Sequence, residues 1–201
     1  MKVTLVDYGA GNLPSVERAL QRLGADTVRA TVASDLNGCQ AIILPGVGHF
    51  GALMHTLEER QLLQPLRATL VRGVPFLGIC LGLQALYESS EEAPDRRGLG
   101  LLAGRVRPLP VSVKLPHMGW NQLRHKRPSR LLQAVPEDAY FYFAHSYAIL
   151  EPDEATVAVC SHGACFVAAL ERDNLYAVQF HPEKSGQAGA LVLRNFLERV
   201  A

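Results

Sequence analysis

The chain has 201 residues, of which 48% are hydrophobic and 19% charged, with a formal net charge of +1. These values fit an ordinary soluble globular protein of one domain and offer no basic surface for nucleic acid or an anionic membrane. Four cysteines with no C-x-x-C pair argue against a disulfide framework and suit a reducing, cytoplasmic setting. Met1-Lys2-Val3 runs straight into an apolar stretch, so we expect no secretory signal, and no apolar run is long enough to span a bilayer.

Residues 3–6 read as a first strand. The glycine-rich loop Asp7-Tyr8-Gly9-Ala10-Gly11-Asn12 follows. Asn12 can cap a helix running to about Leu23, with Leu13, Val16, Ala19, Leu20 and Leu23 on one face, and Gly24 ends it. Residues 27–31 and 41–44 read as two further strands. Strands alternating with helices predict a parallel α/β sheet, in which ligands bind beyond the C-terminal strand ends. Residues 45–51 form a second glycine-rich loop, and a helical stretch to about residue 71 follows, broken near Pro65. A buried strand over 75–80 leads into a helix from Leu81 to about Tyr87. The polar segment 88–97 reads as a solvated loop. From Gly98 short strand-like runs alternate with proline and glycine, at 105–109, 120–123, 140–143 and 156–161. Runs at 166–170 and 175–180 form a hairpin around residues 171–174. An amphipathic helix over 188–200 closes the chain, with Leu191, Val192, Phe196, Leu197 and Val200 turned inward. The whole reads as one domain over residues 1–201, α/β first and more antiparallel in its second half.

The stretch Gly78-Ile79-Cys80-Leu81-Gly82 carries the chemistry. It is the G-x-S-x-G nucleophile elbow with sulfur in place of oxygen. A nucleophile on a sharp strand-to-helix turn is pushed out at the sheet's edge, and side chains at the two flanking glycines would collide. The helix that follows aims its amides and positive dipole end at the sulfur, which favours the reactive thiolate. Cys39, Cys160 and Cys165 lack that setting and read as small buried hydrophobes. Pro45-Gly46-Val47-Gly48 is, alone, an ordinary strand-to-helix turn. Beside an elbow cysteine it becomes a candidate oxyanion loop.

A cysteine nucleophile needs a base, and the base needs an orienting group. Of seven histidines, His49, His55, His117, His125 and His162 have ordinary explanations in loops, helices and turns. His181 differs, because it follows the apolar strand Ala177-Val178-Gln179-Phe180 and Glu183 lies two residues on. Pro182 favours an extended step between them, so both can project to one side. A metal half-site is the competing reading of the pair, but no further ligands stand at matching spacing.

With these residues in hand the chain resembles the class I (triad) glutamine amidotransferases. Asp7-Tyr8-Gly9-Ala10-Gly11-Asn12-Leu13, Pro45-Gly46-Val47-Gly48, His145-Ser146-Tyr147 and His181-Pro182-Glu183-Lys184-Ser185 narrow the resemblance to the glutaminase subunits of imidazole glycerol phosphate synthases, from histidine biosynthesis. Pro14 departs from the pattern, where a longer polar residue is expected. The resemblance implies a flavodoxin-like sheet with a parallel core and antiparallel additions. It implies that Cys80 attacks the glutamine carboxamide, that His181 moves the proton and that Glu183 steadies the imidazole. The amides of Val47 and Leu81 would hold the oxyanion. Gly46, Gly48, Gln84, Ser146 and Tyr147 would bind the amino-acid end of glutamine. No cofactor or metal is implied.

Ammonia released into water is protonated and lost as a nucleophile, and the chain has no Walker-type phosphate loop for an acceptor of its own. The resemblance implies a separate cyclase subunit, a (β/α)8 barrel, in a 1:1 heterodimer that makes imidazole glycerol phosphate and AICAR. Asn12, Trp120, Tyr140 and Lys184 lie on segments expected at that face, although Trp120 reads equally well as a core aromatic. The flexible loop 46–48 could keep the lone glutaminase nearly silent. Two other readings stand beside this one: the glutaminase subunit of pyridoxal phosphate synthase, and a non-catalytic regulatory module of the same fold. A related cysteine hydrolase with other substrates fits the His-Pro-Glu arrangement less well.

Overall fold

A computed structural model describes residues 2–200, with side chains described through residue 198. The first half contains β1 (Lys2–Val6), α1 (Leu13–Arg22), β2 (Asp26–Ala30), β3 (Ile42–Gly46), α2 (Phe50–Glu59), α3 (Leu63–Val71), β4 (Phe76–Cys80) and α4 (Leu81–Gln84). The second contains β5 (Tyr87–Ser90), β6 (Leu102–Pro108), β7 (His117–Gln122), β8 (Arg124–His125), β9 (Tyr140–His145), β10 (Tyr147–Ala148), β11 (Thr156–His162), β12 (Ala164–Arg172), β13 (Leu175–Val178) and α5 (Gly186–Asn195). Eight strands make one sheet in the order β2-β1-β3-β4-β13-β12-β11-β8. Neighbours from β2 to β13 run parallel. Those from β13 to β8 run antiparallel. This is the parallel core with antiparallel additions expected from the sequence. Its parallel half has the doubly wound order whose ligands sit beyond the carboxyl ends of the strands.

Parallel strands need cover on both faces, and β3 and β4 are buried at every position. Alternation along the strands divides the core. Val3, Leu5, Ile43, Leu77 and Ile79 pack with Val16 and Leu20 of α1 and with Val192 and Leu193 of α5. Ile42, Leu44 and Phe76 pack on the other face with Phe50, Leu53 and Leu57 of α2 and with Leu66 and Leu70 of α3. The β7–β9 ribbon and a small sheet of β10, β6 and β5 are separate from this large sheet.

Several local expectations change. The helical stretch after β3 is two helices, and the break is at Gln61, which adopts φ +55. Pro65 sits within the first turn of α3, where its missing N–H costs nothing. The helix after Cys80 is a single turn, because Tyr87 already pairs with Leu102 as β5, which takes the start of the expected loop 88–97. Asn12 occupies the N-cap position of α1 but its side chain makes no capping bond. Pro182–Lys184 is a 3-10 turn, not an extended step, closed by Lys184 N–H donating to the His181 carbonyl at 3.0 Å. The closing helix is α5 followed by wider π-type turns over Phe196–Val200. The inward place expected for Val200 lies outside the described side chains. The hairpin holds, with Arg172 opposite Leu175 across Asp173-Asn174.

The elbow is a matter of clearance. A Cβ on Gly82 would overlap the Leu44 carbonyl oxygen, and one on Gly78 would stand 2.5 Å from the Gly82 carbonyl oxygen. Gly73 is the useful contrast, with φ +92 but nothing within 4 Å of its would-be Cβ. In urea unfolding, Gly82→Ala is expected to destabilise by about 3 kcal/mol. Gly73→Ala is expected to cost only the left-handed backbone penalty of about 1 kcal/mol. Equal losses would remove the steric account of the elbow.

Candidate functional site

Cys80 stands at the carboxyl end of β4 with φ +54 and ψ −105, a strained conformation for a residue with a side chain. It is held there by pairing with Gly46 of β3 and by the close approach of α4 beneath it. Because α4 spans only four residues, the dipole expected there shrinks to the few free amides of one turn. Leu81 occupies its first position, so the Leu81 N–H has no intrahelical acceptor.

The structure brings Cys80, His181 and Glu183 into one buried cluster. His181 Nδ1 and Glu183 Oε1 are 3.0 Å apart, and both side chains are almost fully buried. The 3-10 turn supplies the proximity that an extended step was expected to give. Ser185 holds that turn in place: its hydroxyl donates to the His181 carbonyl at 2.6 Å and accepts from the Tyr142 N–H at 3.0 Å. Burial pulls the His181 imidazole towards its neutral form, but the Cys80 sulfur and then the Glu183 carboxylate outweigh it and raise the ring to about 10. Its Nε2 is buried without a hydrogen-bond partner. The Cys80 sulfur nonetheless stands near enough to the ring to be the first of the influences that raise it. At neutral pH the ring carries a proton that it can give to a departing amine.

Beside the cluster is a cavity of about 180 Å³ lined by Val47, Gly48, Cys80, Leu81, Gln84, Glu92 and residues 144–147. That is below the roughly 300–1,000 Å³ of drug-sized pockets and suits a ligand of amino-acid size. Gly48, Gln84, Ser146 and Tyr147 line it as the sequence suggested. Gly46 does not. It belongs to β3, and the space a side chain would need there is filled by the Leu81 Cβ, 2.6 Å from the would-be Cβ. The Gln84 Nε2 donates to the Tyr147 carbonyl at 2.8 Å and to Gln179 Oε1 at 3.2 Å, so its oxygen is the atom left for a ligand. Glu92, which sequence reading passed over inside a polar loop, brings a carboxylate to the cavity wall. Its Oε2 accepts from the Phe50 N–H at 2.7 Å, at the start of α2. The wall thus suits an ammonium group.

The second expected oxyanion donor is occupied. The Val47 N–H donates to the Tyr8 hydroxyl at 3.2 Å, and that hydroxyl stands 3.4 Å from the Val47 carbonyl. Burial raises the Tyr8 phenol to about 12 against the lowering contact with Val47, and the Cys80 sulfur adds to the rise, so the hydroxyl stays neutral.

His145 Nδ1 lies 2.9 Å from the Tyr147 carbonyl, which can only accept, so that nitrogen carries the hydrogen. His145 Nε2 must then accept from His117 Nδ1 at 3.1 Å, and His117 Nε2 from the Asn121 amide at 3.3 Å. Burial above all holds His145 down to about 3 and His117 to about 4, so both are neutral. Two histidines read as ordinary or as motif letters in the sequence thus form one chain ending on the pocket wall. No cluster of metal ligands occurs among the described residues.

On the β7–β9 ribbon, Trp120 and Tyr140 are 56% and 54% exposed, which settles Trp120 as a surface residue. Trp120 packs edge-on to Tyr142, and the Lys184 ammonium lies 5.5 Å from the Tyr142 ring centre. Met118 extends the same patch at 64% exposure. Asn12 is half-buried, at the start of α1.

The family model "Glutamine amidotransferase class-I" matches residues 4–200. The chain is 47% identical to the protein named imidazole glycerol phosphate synthase subunit HisH of Desulfitobacterium hafniense strain Y51, over 96% of this chain and 92% of that one. It is 47% identical to the protein of that name from Methanothermobacter thermautotrophicus, over 98% of both. The Aquifex aeolicus protein of that name is 46% identical, over 98% of this chain and 96% of the other. Among solved structures, a glutamine amidotransferase aligns with a TM-score of 0.78 at 20% identity, covering 98% of this chain and 97% of that one. PurLQS from Thermotoga maritima aligns with a TM-score of 0.77 at 20% identity over the same shares. At those identities the structural likeness speaks for the fold.

If the sulfur is what keeps the His181 ring charged, Cys80→Ala lowers the titration midpoint of the His181 ring as followed by NMR. Glu183→Gln lowers it too, since the carboxylate also raises the ring. An unchanged midpoint in Cys80→Ala would separate the two side chains.

Proposed function

The chain belongs to the class-I glutamine amidotransferase family, and we propose that it works as the glutaminase subunit of an imidazole glycerol phosphate synthase. The observation that carries this is the meeting of Cys80, His181 and Glu183, far apart in sequence, at the edge of an amino-acid-sized cavity. The names of the relatives at 46–47% identity supply the pathway. They favour this reading over a pyridoxal phosphate synthase subunit, and the intact cluster favours it over a regulatory module.

In this reading the work is divided as follows. The Cys80 sulfur attacks the side-chain carboxamide carbon of glutamine, and the carbonyl oxygen becomes an oxyanion facing the Leu81 N–H. Each such donor is worth about 10²–10³ in rate. His181 gives its proton to the nitrogen, the C–N bond breaks, and ammonia leaves a thioester on Cys80. His181 then takes a proton from water as it attacks the thioester, and glutamate departs with the sulfur freed. Glu183 fixes the ring's tautomer and steadies its charged form. The Gln84 oxygen and Glu92 receive the α-ammonium of the substrate, and the backbone of Ser146 and Tyr147 borders its carboxylate end.

Ammonia passes to a cyclase barrel docked on Asn12, Met118, Trp120, Tyr140 and Lys184, in a cytoplasmic 1:1 complex built on this single domain. No helix among the described residues is long and apolar enough to cross a membrane. The lone subunit is held nearly silent because Tyr8 occupies the Val47 N–H that the oxyanion needs. Tyr8 and Asn12 share one loop, so docking on that loop can loosen the hold and select the competent peptide.

With a purified cyclase, Cys80→Ala is expected to abolish glutamine-dependent product formation while ammonia-dependent formation survives. Loss of both would give Cys80 a structural role. In the absence of the cyclase, Tyr8→Phe is expected to raise glutamine hydrolysis about tenfold, a fraction of one oxyanion donor's worth. Unchanged or lower hydrolysis in that variant would show that Tyr8 is not the restraint.

A further inference from the structure

Gln179 is fully buried and has no place in the chemistry described so far. Its side chain lies between two parts of the site. The Gln179 Nε2 stands 3.5 Å from the Cys80 sulfur, and its Oε1 stands 3.2 Å from the Gln84 Nε2. A glutamine amide can in principle be turned end for end, so the direction of these contacts has to be derived. The Tyr147 carbonyl has no hydrogen to give. Gln84 must therefore present its NH2 there, at 2.8 Å. The same nitrogen faces Gln179, so Gln179 must present its oxygen to Gln84. Its NH2 is then fixed towards the sulfur. The His145 Nδ1–H also donates to the Tyr147 carbonyl, which anchors that end of the chain to a second buried side chain.

We propose that Gln179 is a further catalytic residue of this site, donating an N–H to the Cys80 sulfur in a direction imposed from the pocket wall through Gln84. The inference rests on the reading of Cys80 as the nucleophile. A donated N–H is worth more to a sulfur carrying negative charge than to a thiol. Gln179 therefore favours the attacking form and the form released when the thioester is hydrolysed. It also limits where the sulfur can point, because a sulfur turned away from the amide would leave a buried N–H unpaired. His181 acts on the sulfur as a charge and a proton carrier. Gln179 acts on it as a neutral donor whose hydrogen never leaves, so the two contributions are separable by experiment. The pattern was legible only in part: in Ala177-Val178-Gln179-Phe180 a polar residue interrupts an otherwise apolar strand end, and no motif reading assigned it.

The test follows alkylation of Cys80 by iodoacetamide in the intact chain as a function of pH. Modification is counted on the Cys80 peptide by mass spectrometry, since Cys39 and Cys165 are also partly accessible. Gln179→Met keeps the length and burial of the side chain and removes the donor. It is expected to displace the rate profile upward by about one pH unit, the size of one charge-assisted hydrogen bond, and so to slow Cys80 alkylation up to about tenfold on the rising limb of that profile. The unmodified chain gives an independent reading. The side-chain amide resonances of Gln179 are expected to move with the midpoint of the Cys80 alkylation profile, whether or not the variant folds. A folded Gln179→Met with an unchanged profile, or amide resonances that stay flat through that titration, would reduce Gln179 to a core filler. Failure of the nucleophile reading itself would look different, with glutamine hydrolysis surviving in Cys80→Ala.

Discussion

The site depends on one close approach. At the end of β4 the backbone turns back so tightly that Gly78, Gly82 and the Leu44 carbonyl occupy the space that side chains would need. The turn forces Cys80 into φ +54. A strained non-glycine residue persists only where its surroundings over-determine it. Here the surroundings are β3 and β4, buried along their whole length, with helices packed on both faces of the sheet. Packing energy gathered over the core thus holds one sulfur at the sheet's edge, with Leu81 opening the next turn beside it.

Around that sulfur the structure arranges charge at low dielectric. Glu183 and His181 are buried together, and each would be costly alone. The Cys80 sulfur and the Glu183 carboxylate raise the His181 ring against the pull of burial. The neighbouring histidines take the opposite course. His117 and His145 lack a carboxylate partner, burial keeps them neutral, and they serve as fixed donors and acceptors along the pocket wall. The same residue type carries the proton in one place and supports the wall in the other, according to whether an anion stands beside it.

Much of this was legible in the chain. The elbow glycines and the strand-helix alternation rest on local rules of spacing and clearance that the fold obeys, while the His181–Glu183 pair meets through a 3-10 turn and not through the extended step the sequence suggested. Local rules failed where long-range pairing decided. Tyr87 looked helical because nothing nearby revealed Leu102 as its strand partner. Glu92 looked solvated because its contact with the start of α2 is 42 residues away. Tyr8 read as one letter of a loop, and only the fold places its hydroxyl on the Val47 peptide, 39 residues on. Gln179 was hidden for the same reason, its two partners being distant in sequence and adjacent in space.

The proposed function stands or falls with the sulfur of Cys80 as the group on which glutamine is opened. The most direct measurement is labelling of the chain, mixed with its cyclase, by the glutamine-mimicking electrophile diazo-oxo-norleucine, followed by peptide mapping. A single covalent adduct on Cys80, competed away by glutamine, is expected. An adduct elsewhere, or none on Cys80 while glutamine is still hydrolysed, would contradict it.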